Sequence, residues 1–139
     1  MLNIIKIIVL SFLFVASSHA AIYENWNDGE PSDSGNNFFD REDCTELYAS
    51  NGKWNDKGCH VDLHYSCYDG AAWALSREAD RLGDENHISK GSAHDSCQEL
   101  GDRFYFAAPF NEYENERLRA LIEDAGISSA WISVQDTIN

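Results

Sequence analysis

The sequence predicts an α+β fold stapled by disulfides, with short strands and turns first and two helices after. Three observations lead there. Four cysteines, Cys44, Cys59, Cys67 and Cys97, all follow an export signal. Strand-and-turn residues dominate up to Cys67. Beyond it, apolar residues recur at helical spacing.

The 139 residues are enough for one core of ordinary size. The first twenty read as a signal peptide: Lys6 supplies a positive start, residues 7–15 are apolar, and Ser18-His19-Ala20 is a small-x-small cleavage site. That run is too short and wrongly flanked for a membrane span. A buried core helix is the rival reading, disfavoured by the position at the N-terminus and by the cleavage site. No second long apolar run follows. The expectation is a soluble, secreted product from Ala21 onward, extracellular or, from a Gram-negative bacterium, periplasmic, with no membrane insertion.

The chain carries 24 acidic and 10 basic residues, a formal net charge of −14. Nucleic-acid binding needs basic patches, which are missing, so nucleic acid is excluded as a partner. Anionic lipid head groups would be repelled as well. Most of the acids read as solvated surface. An even cysteine count in an exported chain implies disulfides, with three connectivities open. Zinc is the alternative, because His60 and His64 stand near Cys59, but the spacing matches no standard zinc pattern.

The elements follow in order. Residues 32–40 are loop by composition. Residues 44–48 form a short strand, Asn51-Gly52 is a hairpin signal, and residues 53–55 make the return strand. Residues 65–68 form another strand, and the polar stretch 77–90 reads as an exposed connection. Ala93, Cys97 and Leu100 mark a first helix ending at Gly101. Asn111 caps a second, with Glu114 where a capping-box acid belongs. Leu118, Leu121, Ile122 and Ala125 form its apolar stripe, and Gly126 ends it. Residues 130–134 read as a buried strand. Trp26, Trp54 and Trp131 are core candidates rather than sugar platforms. His60 and His64 read as surface or structural residues.

Acid and amide oxygens cluster in the turn-rich first part: Glu30-Pro31-Ser32, Glu42-Asp43-Cys44 and Trp54-Asn55-Asp56. Hard cations such as Ca²⁺ take six to eight oxygens from such side chains. With Trp26, Cys59 and Tyr65-Ser66-Cys67, these elements resemble, in order, the second half of a C-type lectin-like domain. Cys97, the helix over 111–125 and Trp131-Ile132 resemble the family's first half, which here comes second. The resemblance covers about residues 22–136. It lacks the family's long-loop stretch between the Trp-Ile strand and the Glu-Pro motif, and with it the auxiliary calcium ligands.

The resemblance implies a C-type lectin-like fold with a long loop region. Residues 21–70 would be the C-terminal half, carrying the calcium and sugar loop and core strands. Residues 71–139 would be the N-terminal half, with two helices and the Trp-Ile strand. A circularly permuted single domain and a split fragment of tandem domains both fit this order. The implied disulfides are Cys44–Cys59 and Cys67–Cys97. Glu30, Ser32, Glu42, Asn55 and Asp56 would hold one Ca²⁺ and bind carbohydrate through it, with the Glu30–Pro31 bond cis. Ser32 departs from the family, whose asparagine or aspartate reaches further, so it licenses neither the mannose-type nor the galactose-type assignment. The loop over 32–42 is long for the family.

The expectation is therefore a secreted, non-enzymatic lectin with a glycan or polysaccharide partner and Ca²⁺ as cofactor. One rival is a module binding a protein or other surface, with or without calcium; a non-functional fragment is another. A glycosidase using Glu30 and Glu42 as its carboxylate pair is the enzymatic rival, but no nucleophile–base set accompanies them.

Overall fold

A computed structural model describes residues 22–34, 41–84, 87–88 and 90–134. The leader expectation, most of the 32–40 loop and Asp136 lie outside the described residues. Strands β1 (Cys44–Tyr48) and β2 (Trp54–Lys57) pair antiparallel, with Cys44 opposite Lys57 and Leu47 opposite Trp54. Gly52 turns between them at φ +70°, a left-handed conformation that favours glycine. A Cβ there would stand 3.1 Å from Asn115 Nδ2, so the turn also needs glycine for close approach.

Four short strands follow: β3 (Asp62–Leu63), β4 (Ser66–Tyr68), β5 (Trp73–Leu75) and β6 (Asp80–Arg81). Next come β7 (Gly83–Asp84), β8 (His87–Ile88), helix α1 (Lys90–Gln98), β9 (Tyr105–Phe106), helix α2 (Glu112–Asp124) and β10 (Ser129–Ile132). The sheet orders are β10-β1-β2, β5-β4-β9, β3-β6 and β7-β8, all antiparallel. β10, from the far end of the chain, lies beside β1 with Leu47 opposite Ala130. Trp131 N–H also donates to His64 O at 2.8 Å, tying that sheet to the segment entering β4. Two helices, short antiparallel sheets and two disulfides make the fold α+β and C-type lectin-like.

Helix α2 follows its sequence signals closely. Asn111 accepts a hydrogen bond from Glu114 N–H at 2.8 Å, the N-cap bond. Leu118 and Ile122 are fully buried against Leu47, Trp54 and Ile132. At its end Gly126 N–H donates to Glu123 O and Ile127 N–H to Ile122 O, with Gly126 at φ +73°, the two bonds of a Schellman cap. Two details differ. Ala125 is exposed and caps the helix instead of extending the stripe. The Glu114 carboxylate does not complete a capping box. It accepts from Trp73 Nε1 at 2.7 Å and pairs with Arg117, because a buried indole N–H needs an acceptor.

The stretch 77–90 is more than an exposed connection. It contains β6, β7 and β8, and Leu82 is buried among Cys44, Cys59 and Tyr65. Distant side chains use its carbonyls as acceptors: Tyr65 O–H donates to Arg81 O and Trp131 Nε1 to Asp80 O. Nor is the chain helical directly after Cys67. Asp69 Oδ1 accepts from Ala71 and Ala72 N–H, and Gly70 sits at φ +98°. That Asp-Gly turn folds β5 back on β4.

Disulfides join Cys44 to Cys59 and Cys67 to Cys97. The second links β4 to α1 across 30 residues, a closure worth about 3–4 kcal/mol by loop-entropy reasoning. Trp54 and Trp131 are buried; Trp26 is half-buried and packs edge-on against Trp54.

Candidate functional site

The candidate residues gather along the outer edge of β2. The chain before β1 runs beside that strand: Trp54 N–H donates to Asn25 O, and Asn27 N–H to Trp54 O. A turn closed by Glu30 N–H on Asn27 O, with Gly29 at φ +85°, then carries Glu30 toward the end of β2. The Glu30–Pro31 peptide is cis. Ser32 N–H donates to Glu30 Oε2 at 3.0 Å, and Asp33 N–H to Asp56 Oδ2 at 2.6 Å. Asp33 is in the left-handed region at φ +42°, which lets successive N–H groups reach two carboxylates.

Glu30 and Asp56 are brought together. Their contact holds the Glu30 carboxyl above its usual range, chiefly because a proton shared with Asp56 is stabilised there. For Asp56, burial pushes upward but is outweighed by hydrogen bonds from the Glu30 carboxyl and from the Asp33 and Ser32 N–H groups, so its carboxyl is lowered. Asp56 is 3% exposed, and among the described residues no donor reaches its Oδ1 once both acids are ionised. Two touching carboxylates with an orphaned buried oxygen are unfavourable without a positive partner.

Asn55 lies beside them. Its Nδ2 donates to Glu46 Oε1 at 3.1 Å and to Asp56 O at 2.6 Å. Glu42 stands apart: its Oε2 accepts from Ser34 N–H at 3.0 Å and Ser34 Oγ at 2.7 Å. Ser32 contributes its N–H. Among the described residues no group of three or more His, Cys, Asp or Glu is assembled as a metal cluster. The donor types nevertheless fit a hard cation: two carboxylates in contact, one of them with a buried oxygen that lacks a hydrogen-bond partner. Glu30, Asp56 and Asn55 would hold it, joined by Glu42 on exchanging its Ser34 contacts. When bound, the ion would supply positive charge and open coordination positions.

Four contributors are not apparent from motif order. Asp33 and Ser34 act through N–H and hydroxyl groups on the carboxylates. Tyr48 has its phenol pushed up, first by burial and then by the negative charge of Glu46, with Glu30 and Glu42 adding to the shift. Glu46 is a buried carboxylate directly opposite Asn55 in the β1–β2 register. Strand pairing was the available signal, because cross-strand neighbours share a face. His60 is exposed, and the His64 ring nitrogen bonds Ser76 O, which makes His64 structural.

Residues 12–69 match the family model described as the lectin C-type domain. That segment carries all five candidate residues. The chain is also similar to Collectin-11 of Bos taurus, 42% identical over 57 residues, which is 41% of this chain and 20% of that protein. Similarity to Collectin-10 of Homo sapiens is 39% over 56 residues, 40% of this chain and 18% of that protein. Collectin-10 of Gallus gallus is 43% identical over 56 residues, with the same shares. The chain thus spans about a fifth of the length of these curated relatives. No solved structure matches. Among the described residues no helix is long and apolar enough to cross a membrane.

Proposed function

We propose that this chain is a secreted carbohydrate-binding module of the C-type lectin kind, in which Glu30, Ser32, Glu42, Asn55 and Asp56 hold one Ca²⁺ and a glycan binds through it. The observation that carries the reading is the Glu30–Asp56 pair with its orphaned Asp56 oxygen, placed where the lectin C-type match runs. These residues do the local work. The Asp33 and Ser32 N–H groups orient the carboxylates. Asn55 offers a neutral oxygen, and sugar hydroxyls donate to carboxylate oxygens left over. The reading is of a binder, not an enzyme. Glu42 is engaged by Ser34 rather than poised as an acid or base.

The two halves form one permuted domain in this account, residues 21–70 preceding 71–139. β10 beside β1, and the Cys67–Cys97 link, support it. A disulfide map and sedimentation of the exported protein test it. A monomer with intramolecular Cys67–Cys97 is expected, and an intermolecular bond there overturns it.

Isothermal titration with mannose-type and galactose-type sugars, with and without chelator, tests the main reading. Calcium-dependent heat with one sugar class is expected; calcium-independent silence with every sugar sinks it. One observation favours a second reading, a calcium-stabilised module that binds a protein surface. Ser32 has no amide, and both Asn55 amide protons are already committed within the protein. Calcium heat without sugar heat would select that reading.

A further inference from the structure

We propose that Glu46, which stands outside the five-residue set, is the positioning residue of this site: its buried carboxylate fixes the amide of Asn55 with the oxygen left free for a cation, and holds the Lys57 ammonium out of competition. The proposal rests on the calcium reading above. Glu46 is 1% exposed in the middle of β1, where an unpaired carboxylate would be strongly unfavourable. Three donors converge on it. Oε1 accepts from Asn55 Nδ2 and Lys57 Nζ, both at 3.1 Å. Oε2 accepts from Ser129 Oγ at 2.6 Å.

The consequence for Asn55 is chemical. A carboxylate only accepts, so the group facing it must be the NH₂ and not the carbonyl. The second amide proton goes to Asp56 O at 2.6 Å. With both donors spent, Oδ1 is the one function left, and among the described residues nothing donates to it. An amide free to turn over would present NH₂ to a cation half the time. Glu46 removes that state before any ion arrives, which is preorganisation of a ligand.

Lys57 is the second consequence. It directly follows Asp56 in sequence and is one-third exposed, so its flexible stem could reach the acidic loop. An ammonium resting on Glu30 or Asp56 would supply the positive charge that a cation supplies. The 3.1 Å ion pair with Glu46 keeps it over β1, on the face of β2 opposite Asp56. Ser129 joins the same carboxylate from β10, so the second half of the chain props the residue that orients the first.

Three preparations test this on the full exported chain. In calcium-free, ¹⁵N-labelled wild type, both Asn55 side-chain amide protons should exchange at least about tenfold more slowly than those of an exposed asparagine. Free-amide rates would overturn the proposal without any variant having to fold. In calcium titrations, Glu46→Leu removes both acceptor oxygens, so Asn55 is no longer held in one orientation and Lys57 is freed, and the calcium Kd should rise about tenfold or more. Ser129→Ala loses a bond to the same carboxylate but leaves Asn55 and Lys57 held, so Tm should fall while Kd stays within about twofold. Equal losses of calcium affinity in the two variants would make Glu46 merely structural and overturn it. Wild type that binds no calcium fails the underlying reading instead; wild type that binds, with Glu46→Leu unchanged, fails this inference alone.

Discussion

The β1–β2 hairpin with its preceding loop and the helical region from Lys90 to Ile132 differ in what their side chains are for. In the hairpin region, polar side chains converge on one another: Glu30 on Asp56, Ser34 on Glu42, Asn55 and Lys57 on Glu46. In the helical region they reach outward to brace the hairpin. Asn115 accepts from Trp54 Nε1 at 2.8 Å and donates to Gly52 O at 2.9 Å, Arg119 Nη1 donates to Ala49 O, and Ser129 holds Glu46. One region carries the chemistry and the other holds it still. A site of like charges needs such an outside frame, because its own interactions are partly repulsive.

Unfastening the helical region from β4, on which it is stapled, should have the largest effect. Replacing Cys67 and Cys97 together by serine should cost about 3–4 kcal/mol, read by urea unfolding. A loss near zero would mean the helical region is held without the disulfide. Asn115→Ala should come next, about 2 kcal/mol, because it strands the buried Trp54 N–H and leaves the Gly52 carbonyl with Asn25 alone of its two side-chain donors. Its calcium affinity should drop less than its stability, and the reverse order would contradict the division between frame and site. Asn111→Ala removes the α2 N-cap bond and should lower stability by about 1 kcal/mol, leaving calcium affinity unchanged.

A pH titration sharpens the other side of the comparison. Glu30 is raised and Asp56 lowered, so their direct contributions to stability oppose each other. The raised Glu30 favours the fold at low pH and loses that contribution as pH rises through its folded pKa. The lowered Asp56 favours the fold above its unfolded value and loses it as pH falls through its folded one. Calcium affinity does not cancel in this way, since a cation needs both acids ionised. It should begin to weaken on acidification while still above the ordinary glutamate value of 4.5. Affinity flat down to that value would show that the pair is not part of the site.

Local chemistry made most of the fold legible. α2 carries its cap, stripe and terminating glycine in sequence, and β1 and β10 are short runs of residues suited to burial. What escaped depends on partners far along the chain. Leu82 lies in a mostly polar stretch, and only the Cys44–Cys59 cluster makes it core. Glu114 looks like a cap residue until Trp73, 41 residues earlier, claims its carboxylate. The Asp69-Gly70 turn was a readable hairpin signal, hidden by the helical pattern beyond it. For the site, motif order singles out five residues, while contact is a matter of three dimensions: Glu30 meets Asp56, and Glu42 rests on Ser34. Glu46 has no motif of its own, because its role follows from standing opposite Asn55 in strand register.

Calcium titration of the wild-type exported chain, beside Asp56→Asn, bears most directly on the site. One calcium per chain is expected, with measurable heat and a rise in Tm, both lost in the variant. No heat at millimolar calcium, or an undiminished response in Asp56→Asn, would contradict the calcium reading.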